Sequence, residues 1–272
     1  MIEVKDQTGN WVRLGSFPKR IICLVPSITE LLFDLGLNDE VVGITKFCVH
    51  PEHWFKTKPR IGGTKNISFD IIESLSPDLV IANKEENIKE QVLQLEAICP
   101  VYVSDVSNLE EAFDMIGQLG KLVGKTGSAE VLLAEIRKEF TMLHPLKQQL
   151  KTAYLVWQDP FITVGGDTFI NDMLQKCGFN NITAANNRYP TVSITDLCEL
   201  QCELLLLSSE PYPFSNKHIS TIRRQLQSRQ IQNSKSIKIE LVDGEYFSWY
   251  GSRLKMAPKY FRELQKWILS NS

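Results

Sequence analysis

The sequence predicts an α/β protein of two lobes joined by one long helix, and three observations carry that expectation. Short apolar strands alternate with helices along the chain, which argues for mostly parallel sheets covered by helices on both faces. The stretch SAEVLLAEIRKEFTMLHPLKQQL, from Ser128 to about Leu150, reads as a single helix with that alternation on either side. A segment before this helix can also be laid over one after it without a gap.

In chain order, IEVKD and WVRL form a hairpin closed by Thr8-Gly9-Asn10. RIICLV, Arg20 to Val25, is a buried strand, apolar and β-branched. Ser27 is placed as an N-cap with Glu30 as its capping-box partner, and the helix TELLFDL ends at Gly36 as a left-handed C-cap. VVGIT is the next strand, KFCVHPEHWF is irregular, and Ile61-Gly62-Gly63-Thr64 is a glycine turn. The helix SFDIIESL, the strand DLVIA, a helix from Asn87 to Ala97, the strand VYVS and a helix from Leu109 to Val123 complete the first lobe.

In the long helix, Val131, Leu132, Ile136, Phe140 and Leu143 recur at three- and four-residue spacing among good helix formers. At full length it would span roughly 33 Å, with Pro145 kinking its last turns or ending it near Leu143. Beyond it come the strand TAYLVW, a strand and turn in DPFITVGG, and the helix TFINDMLQKCG ending at Gly178. The helix SITDLCEL, the strand ELLLLS, a helix from Lys217 to Ser228, the strand SIKIELV and a last helix from Ser252 to Leu269 follow. The repeat lays Ser68–Ile81 over Ser193–Leu206: Ser68/Ser193, Leu75/Leu200 and Leu79/Leu204 coincide, and Asp78 meets Glu203. Each copy reads as a serine-capped helix turning directly into a buried strand. The expected domains are residues 1–125, an α/β lobe; 126–150, the bridging helix; and 151–272, a second α/β lobe.

Composition narrows the function. With 43% apolar and 23% charged residues the 272-residue chain is ordinary and globular. A formal charge of -2 gives no electrostatic reason for nucleic acid or an anionic membrane as partner. No run approaches the length of a membrane span. The opening MIEVKDQTGNWVRL lacks the apolar core and cleavage site of a signal peptide, so a cytosolic protein and a chain whose leader has been removed both remain open. The six cysteines sit in apolar segments and read as buried small hydrophobes. Neither a dinucleotide fingerprint nor a P-loop nor a G-x-S-x-G elbow is present, which lowers the expectation of an enzyme.

What remains are candidates for binding. Cys48-Val49-His50-Pro51-Glu52-His53-Trp54 gathers two histidines, a thiol and a carboxylate; Pro51 argues against a helical His-x-x-His pair, which leaves His50 and His53 as weak metal candidates. A surface loop is the plainer reading, and between the two lies a His50 that touches a ligand. Aromatic residues collect between regular elements: Phe47 and Trp54, Trp157 and Phe161, Tyr189, and the run Tyr246-Phe247-Ser248-Trp249-Tyr250. Trp157, at a strand's end, fits core or cleft equally. Four rings in five residues cannot all be buried in one sheet face, so this run points to a large, partly apolar ligand held between the lobes. Arg253 follows closely and either meets a polar group of that ligand or is solvated. Asp70 and Glu73, and Asp196 and Glu199, lie near the first turns of the two repeated helices; they serve the helix dipoles or present one acidic patch per lobe to a basic two-fold partner.

RIICLVPSITELLFDLGL, VVGITKFCVHP, SFDIIESLSPDLVIA, the long helix and the late GSRL together resemble the helical-backbone (class III) solute-binding proteins of ABC importers. The resemblance runs over roughly residues 18–270 and is strongest to the vitamin B12-binding branch, whose relatives bind iron-siderophores, haem or metal ions. It implies two three-layer α/β lobes on one stiff backbone helix, a ligand in the cleft, no catalysis, an ABC permease as partner and a periplasmic or extracytoplasmic location. It also implies no cofactor of the protein's own, though the ligand would carry cobalt or iron. By matched position, the cleft aromatics of the B12 binders fall at Phe47 or His50, Phe161, Tyr189 and Tyr246. The family's Tyr-Pro is His50-Pro51 here, and two cleft tryptophans become Thr64 and Asn83. Its docking glutamates, one per lobe, fall at Asp70 and near Thr195-Asp196. The alternatives are an iron-siderophore, haem or metal-ion binder on the same scaffold, and a cytosolic tetrapyrrole-handling protein or enzyme.

Overall fold

A computed structural model describes residues 1–144, 146, 149–228 and 237–270. They form two compact units: Met1–Lys138 with Trp249–Lys255, and Glu139–Ser248 with Met256–Ser272.

The first unit opens with the antiparallel pair β1 (Ile2–Lys5) and β2 (Trp11–Leu14). Its turn is held by Asp6, whose carboxylate accepts from the backbone of Thr8 at 3.0 Å and Asn10 at 2.8 Å. The main sheet is parallel throughout, in the order β4 (Val41–Ile44), β3 (Ile21–Cys23), β5 (Leu79–Asn83), β6 (Val101–Ser104). Its helices are α1 (Pro26–Asp34), α2 (Glu52–Thr57), α3 (Phe69–Ser74), α4 (Lys89–Glu96), α5 (Leu109–Leu122) and α6 (Thr126–Thr141). The passage from the first unit to the second falls within α6.

The second unit has a parallel sheet in the order β10 (Lys238–Val242), β9 (Leu204–Ser208), β7 (Leu150–Leu155), β8 (Phe179–Asn181). Its helices are α7 (Phe169–Lys176), α8 (Ile194–Glu199), α9 (Asn216–Ser228), α10 (Glu245–Ser248) and α11 (Ala257–Ser270). A 3₁₀ turn at Ser252–Lys255, just before α11, belongs to the first unit.

The repeat is a structural one. Each sheet places its strands in the same order, so β5 and β9 hold the same central position, and every residue of both is buried. A strand covered on both faces needs an uninterrupted apolar run, which LVIAN and LLLLS nearly are. Asp78, just before β5, accepts from the backbone N–H of Lys19 (2.7 Å) and Arg20 (2.9 Å) at the entrance to β3. Glu203, just before β9, does the same for Lys151 of β7 at 2.8 Å. In each sheet one carboxylate fixes the start of the neighbouring strand.

Several expectations are corrected. The long helix ends at Thr141, close to the stop expected near Leu143 and well short of Leu150, and spans about 24 Å. Met142 and Leu143 close onto Glu139 and Phe140 in tight three-residue bonds, and Leu150 and Lys151 already pair with β8. Pro145, expected to kink the helix, lies outside the described residues. The buried stripe of α6 is Ala129, Leu132 and Ile136, whereas Val131 is 62% exposed. Pro26 enters the first turn of α1, so Val25 becomes the N-cap and Ser27 makes no cap bond. Ser68 likewise sits at the N-cap of α3 without a side-chain bond, while Ser193 and Asp196 form a full capping box on α8. Part of KFCVHPEHWF is the short helix α2, DPFITVGG makes only isolated bridges, and the final helix starts at Ala257. β8 and α10 are too short to carry a readable period.

Candidate functional site

Open parallel sheets bind ligands at the carboxyl ends of their strands, and each unit presents a distinct surface there.

On the first unit, the loop after β4 carries Phe47 and His50. Phe47 is 50% exposed, with the Lys46 ammonium 5.1 Å from its ring centre. His50 is half-buried and packs edge-on against Trp249, centroids 5.5 Å apart. Behind them Cys48 is buried, its sulfur bonded to the Thr29 hydroxyl at 3.1 Å. Burial pushes the Cys48 and Cys23 thiols up, keeping them protonated.

The loop after β5 is organised by Asn83. Its side-chain carbonyl accepts from the N–H of Glu85 (2.8 Å) and Glu86 (3.0 Å), and its amide donates to Ser104. Asn87 continues the network, bonding the N–H of Asn83 and the carbonyl of half-buried Thr64. Asn83 is thus committed to shaping this loop, which corrects its reading as a ligand contact.

Arg253 is neither solvated nor open to a ligand. It is 8% exposed and forms a two-point pair with Glu30 at 3.0 and 2.6 Å, its guanidinium 4.8 Å from the Trp249 ring centre. Glu30 therefore serves as counterion and not as capping-box partner, because a buried guanidinium without one would be costly. Burial pushes the Glu30 carboxyl above its usual range, with the Arg253 bond pulling back. Tyr250 donates to Glu86 at 3.1 Å, and burial drives that phenol up.

The aromatic run is likewise corrected: Phe247, Trp249 and Tyr250 are all buried. They escape the limit of one sheet face because the run divides, Phe247 packing in the second unit against Tyr154 and Phe261, and Trp249 and Tyr250 belonging to the first.

On the second unit, Trp157 stands just beyond β7, 42% exposed, and Phe161 packs half-buried on the core of Leu155, Leu205 and Leu207. Tyr189, 41% exposed, lies in a segment held by Gly165 N–H to Arg188 O (2.7 Å) and Thr163 N–H to Pro190 O (2.9 Å). Glycines are required at 165 and 166, since a Cβ there would come within 2.4 Å of Asn186 O and 2.2 Å of Ala184 O. Half-buried Tyr246 stacks on Tyr260 at 4.4 Å, and the Tyr260 oxygen accepts from the N–H of Asp243. Burial pushes the Tyr260 phenol up to about 12.

Sequence reasoning missed Tyr212 and His218. Tyr212 packs edge-on against Trp157 at 5.5 Å and bonds the His218 ring at 3.2 Å. The available signal was Glu210-Pro-Tyr-Pro-Phe214, a proline-rich aromatic loop directly after β9.

The metal candidates disperse. His53 packs on Phe33, His50 on Trp249, and Glu52 pairs with Lys56. Among the described residues no three His, Cys, Asp or Glu side chains gather to hold a metal ion. Asp70 and Glu73 are exposed on α3, and Glu199 on α8; Asp196, also exposed, accepts from Ser193 N–H at 2.7 Å in its capping box. Among the described residues no helix is long and apolar enough to cross a membrane.

Two parallel-sheet units of the same strand order, with the first passage between them inside α6, have the fold of the helical-backbone (class III) solute-binding proteins. The chain belongs to the periplasmic binding protein family, which matches residues 21–233. It is similar to the vitamin B12-binding protein of Vibrio campbellii (strain ATCC BAA-1116), 30% identical over 198 residues covering 70% of each chain. It is also similar to the uncharacterized ABC transporter substrate-binding lipoprotein YvrC of Bacillus subtilis (strain 168), 29% identical over 206 residues, 72% of this chain and 64% of that one. Its fold matches the periplasmic heme-binding protein RhuT of Roseiflexus sp. RS-1 in apo form, with TM-score 0.74 and 21% identity over 90% of this chain and 98% of the other.

Proposed function

We propose that this solute-binding protein takes up cobalamin or a related corrinoid and hands it unchanged to a membrane permease. The observation that carries the reading is the 30% identity over 198 residues to a protein named for vitamin B12. The half-exposed rings support it: a corrinoid offers broad apolar faces fringed with amides, and aromatic side chains cover such faces at small entropic cost. Phe47, His50 and Thr64 on the first unit and Trp157, Phe161, Tyr189 and Tyr246 on the second are the proposed contacts, with Asn83, Trp249 and Arg253 framing the first surface. The protein itself is non-catalytic and holds no cofactor; cobalt arrives with the cargo. Exposed Asp70, Glu73 and Glu199, joined by Asp196, would meet basic groups of the permease outside the inner membrane.

A second reading, an iron-siderophore or haem ligand, is favoured by one observation: the half-buried His50 imidazole at the carboxyl end of β4 could reach an iron centre. Titration with cyanocobalamin, followed by tryptophan fluorescence, tests the first reading. Saturable one-to-one binding at micromolar affinity or tighter is expected. No binding up to roughly 100 μM, weaker than about 5.5 kcal/mol, would remove the corrinoid reading and send the search to hemin and ferric siderophores.

A further inference from the structure

The second unit holds a polar group buried within its aromatic cluster. His218, on α9, is 6% exposed, and its ring lies edge-on to Tyr212 at 5.4 Å and to Phe214 at 5.4 Å. Its Nδ1 accepts the backbone N–H of Ser215 at 2.8 Å. A backbone N–H can only donate, so Nδ1 carries no hydrogen. The ring hydrogen therefore sits on Nε2, and at 3.2 Å that Nε2–H donates to the Tyr212 oxygen. The direction of this bond decides what the phenol can do next. An oxygen that accepts from His218 has its own hydrogen left to give, and among the described residues no second partner takes it.

Tyr212 lies on the loop leaving the carboxyl end of β9, half-buried, with its ring against the core on one side and edge-on to the exposed ring of Trp157 on the other. One aromatic wall and one committed donor thus stand beside a residue already proposed to meet the ligand.

We propose that Tyr212 is a ligand-binding residue that donates a hydrogen bond to a peripheral carbonyl or carboxylate oxygen of the ligand, and that His218 is the positioning residue that sets it as a donor. The assignment rests on the proposed function for the presence of a large, partly apolar ligand. It adds a polar specificity element to a surface otherwise made of rings, one that would favour ligands fringed with amides or carboxylates over bare hydrocarbon of the same shape.

The test uses the full chain, with cyanocobalamin and hemin as probes followed by fluorescence titration. Tyr212→Phe keeps the ring and removes the donor, and should raise Kd about threefold to tenfold. His218→Phe should weaken binding by a similar factor in the wild type and by almost nothing in the Tyr212→Phe background, because the two act as one unit. His218→Gln, whose amide can still donate to Tyr212, should restore most of the affinity. Unchanged affinity in Tyr212→Phe, or a His218→Phe penalty equal in both backgrounds, would overturn the proposal.

A spectroscopic arm separates this outcome from failure of the ligand reading. The near-ultraviolet dichroism of Trp157, isolated by difference against Trp157→Phe, should change in His218→Phe and be retained in His218→Gln. If neither probe binds the wild type, the ligand reading and the Tyr212 contact fall together. The Trp157 signal then decides the positioning role alone, and an unchanged band in His218→Phe would sink that too.

Discussion

The two units share a sheet and differ in what they mount on it. At the amino ends of the strands they match closely: Asp78 and Glu203 perform the same task for β3 and β7. At the carboxyl ends they diverge. The first unit's surface is polar and internally committed, with Arg253 locked to Glu30, Tyr250 to Glu86, and Asn83 spent on its own loop. The second is aromatic and more open, with Trp157 and Tyr189 standing out from the core. The matching amino ends build the scaffold, and under the proposed function the divergent carboxyl ends would select the ligand. Substitutions at the committed polar groups of the first surface should accordingly read out as stability, and those at the open rings of the second as affinity.

The largest expected effect lies in the Arg253–Glu30 pair. Arg253→Ala leaves a largely buried carboxylate, its side chain 14% exposed, without its counterion and should cost about 3 kcal/mol in urea denaturation. The cost should also depend on pH. Burial raises the Glu30 carboxyl and Arg253 pulls it down. A carboxyl whose folded value lies above its unfolded one contributes most to stability below the unfolded value, and the contribution is lost as pH rises through the folded value. Removing Arg253 enlarges that rise, so the deficit should be greater at about pH 8 than at about pH 5. An equal deficit at both would assign the loss to packing on Trp249 instead of to charge.

A middle-sized effect separates the matched halves. Asp78 accepts two backbone N–H groups and Glu203 one. Asp78→Ala should therefore cost about 1.5 kcal/mol and Glu203→Ala about half that, both being partly solvated. Equal penalties would mean that the clamps are not counted by their bonds, and a larger penalty at Glu203 would break the proposed equivalence.

Which of these features could be read from the chain follows the range of the interaction. The buried runs of β5 and β9, the left-handed Gly36, the helix end at Gly178 and the serine cap at Ser193 depend on neighbours within a few positions, and all were visible, although the capping box was read at Ser27 and found at Ser193. Glu30 was misread because its true partner, Arg253, is 223 positions away, while a plausible local partner, Ser27, stood three residues before it. Tyr212 escaped for a related reason: the tautomer that makes its phenol a donor depends on His218 folding back over Ser215. The aromatic run was misjudged because its rings were assumed to share one core, whereas the chain passes between two units inside it.

The smallest change in stability should accompany a clear change in binding. Tyr189 lies between Arg188 and Pro190, whose carbonyls accept from the N–H groups of Gly165 and Thr163, so backbone bonds hold the loop on both sides of it. With 41% of its surface exposed, truncation removes little buried area. Tyr189→Ala should lower stability by less than about 1 kcal/mol and weaken cyanocobalamin binding about tenfold, or about 1.4 kcal/mol. A stability loss as large as the binding loss would show that the ring anchors its loop. The second surface would then resemble the first, with its rings serving as framework, and the contacts would have to be sought among Trp157, Phe161 and Tyr212.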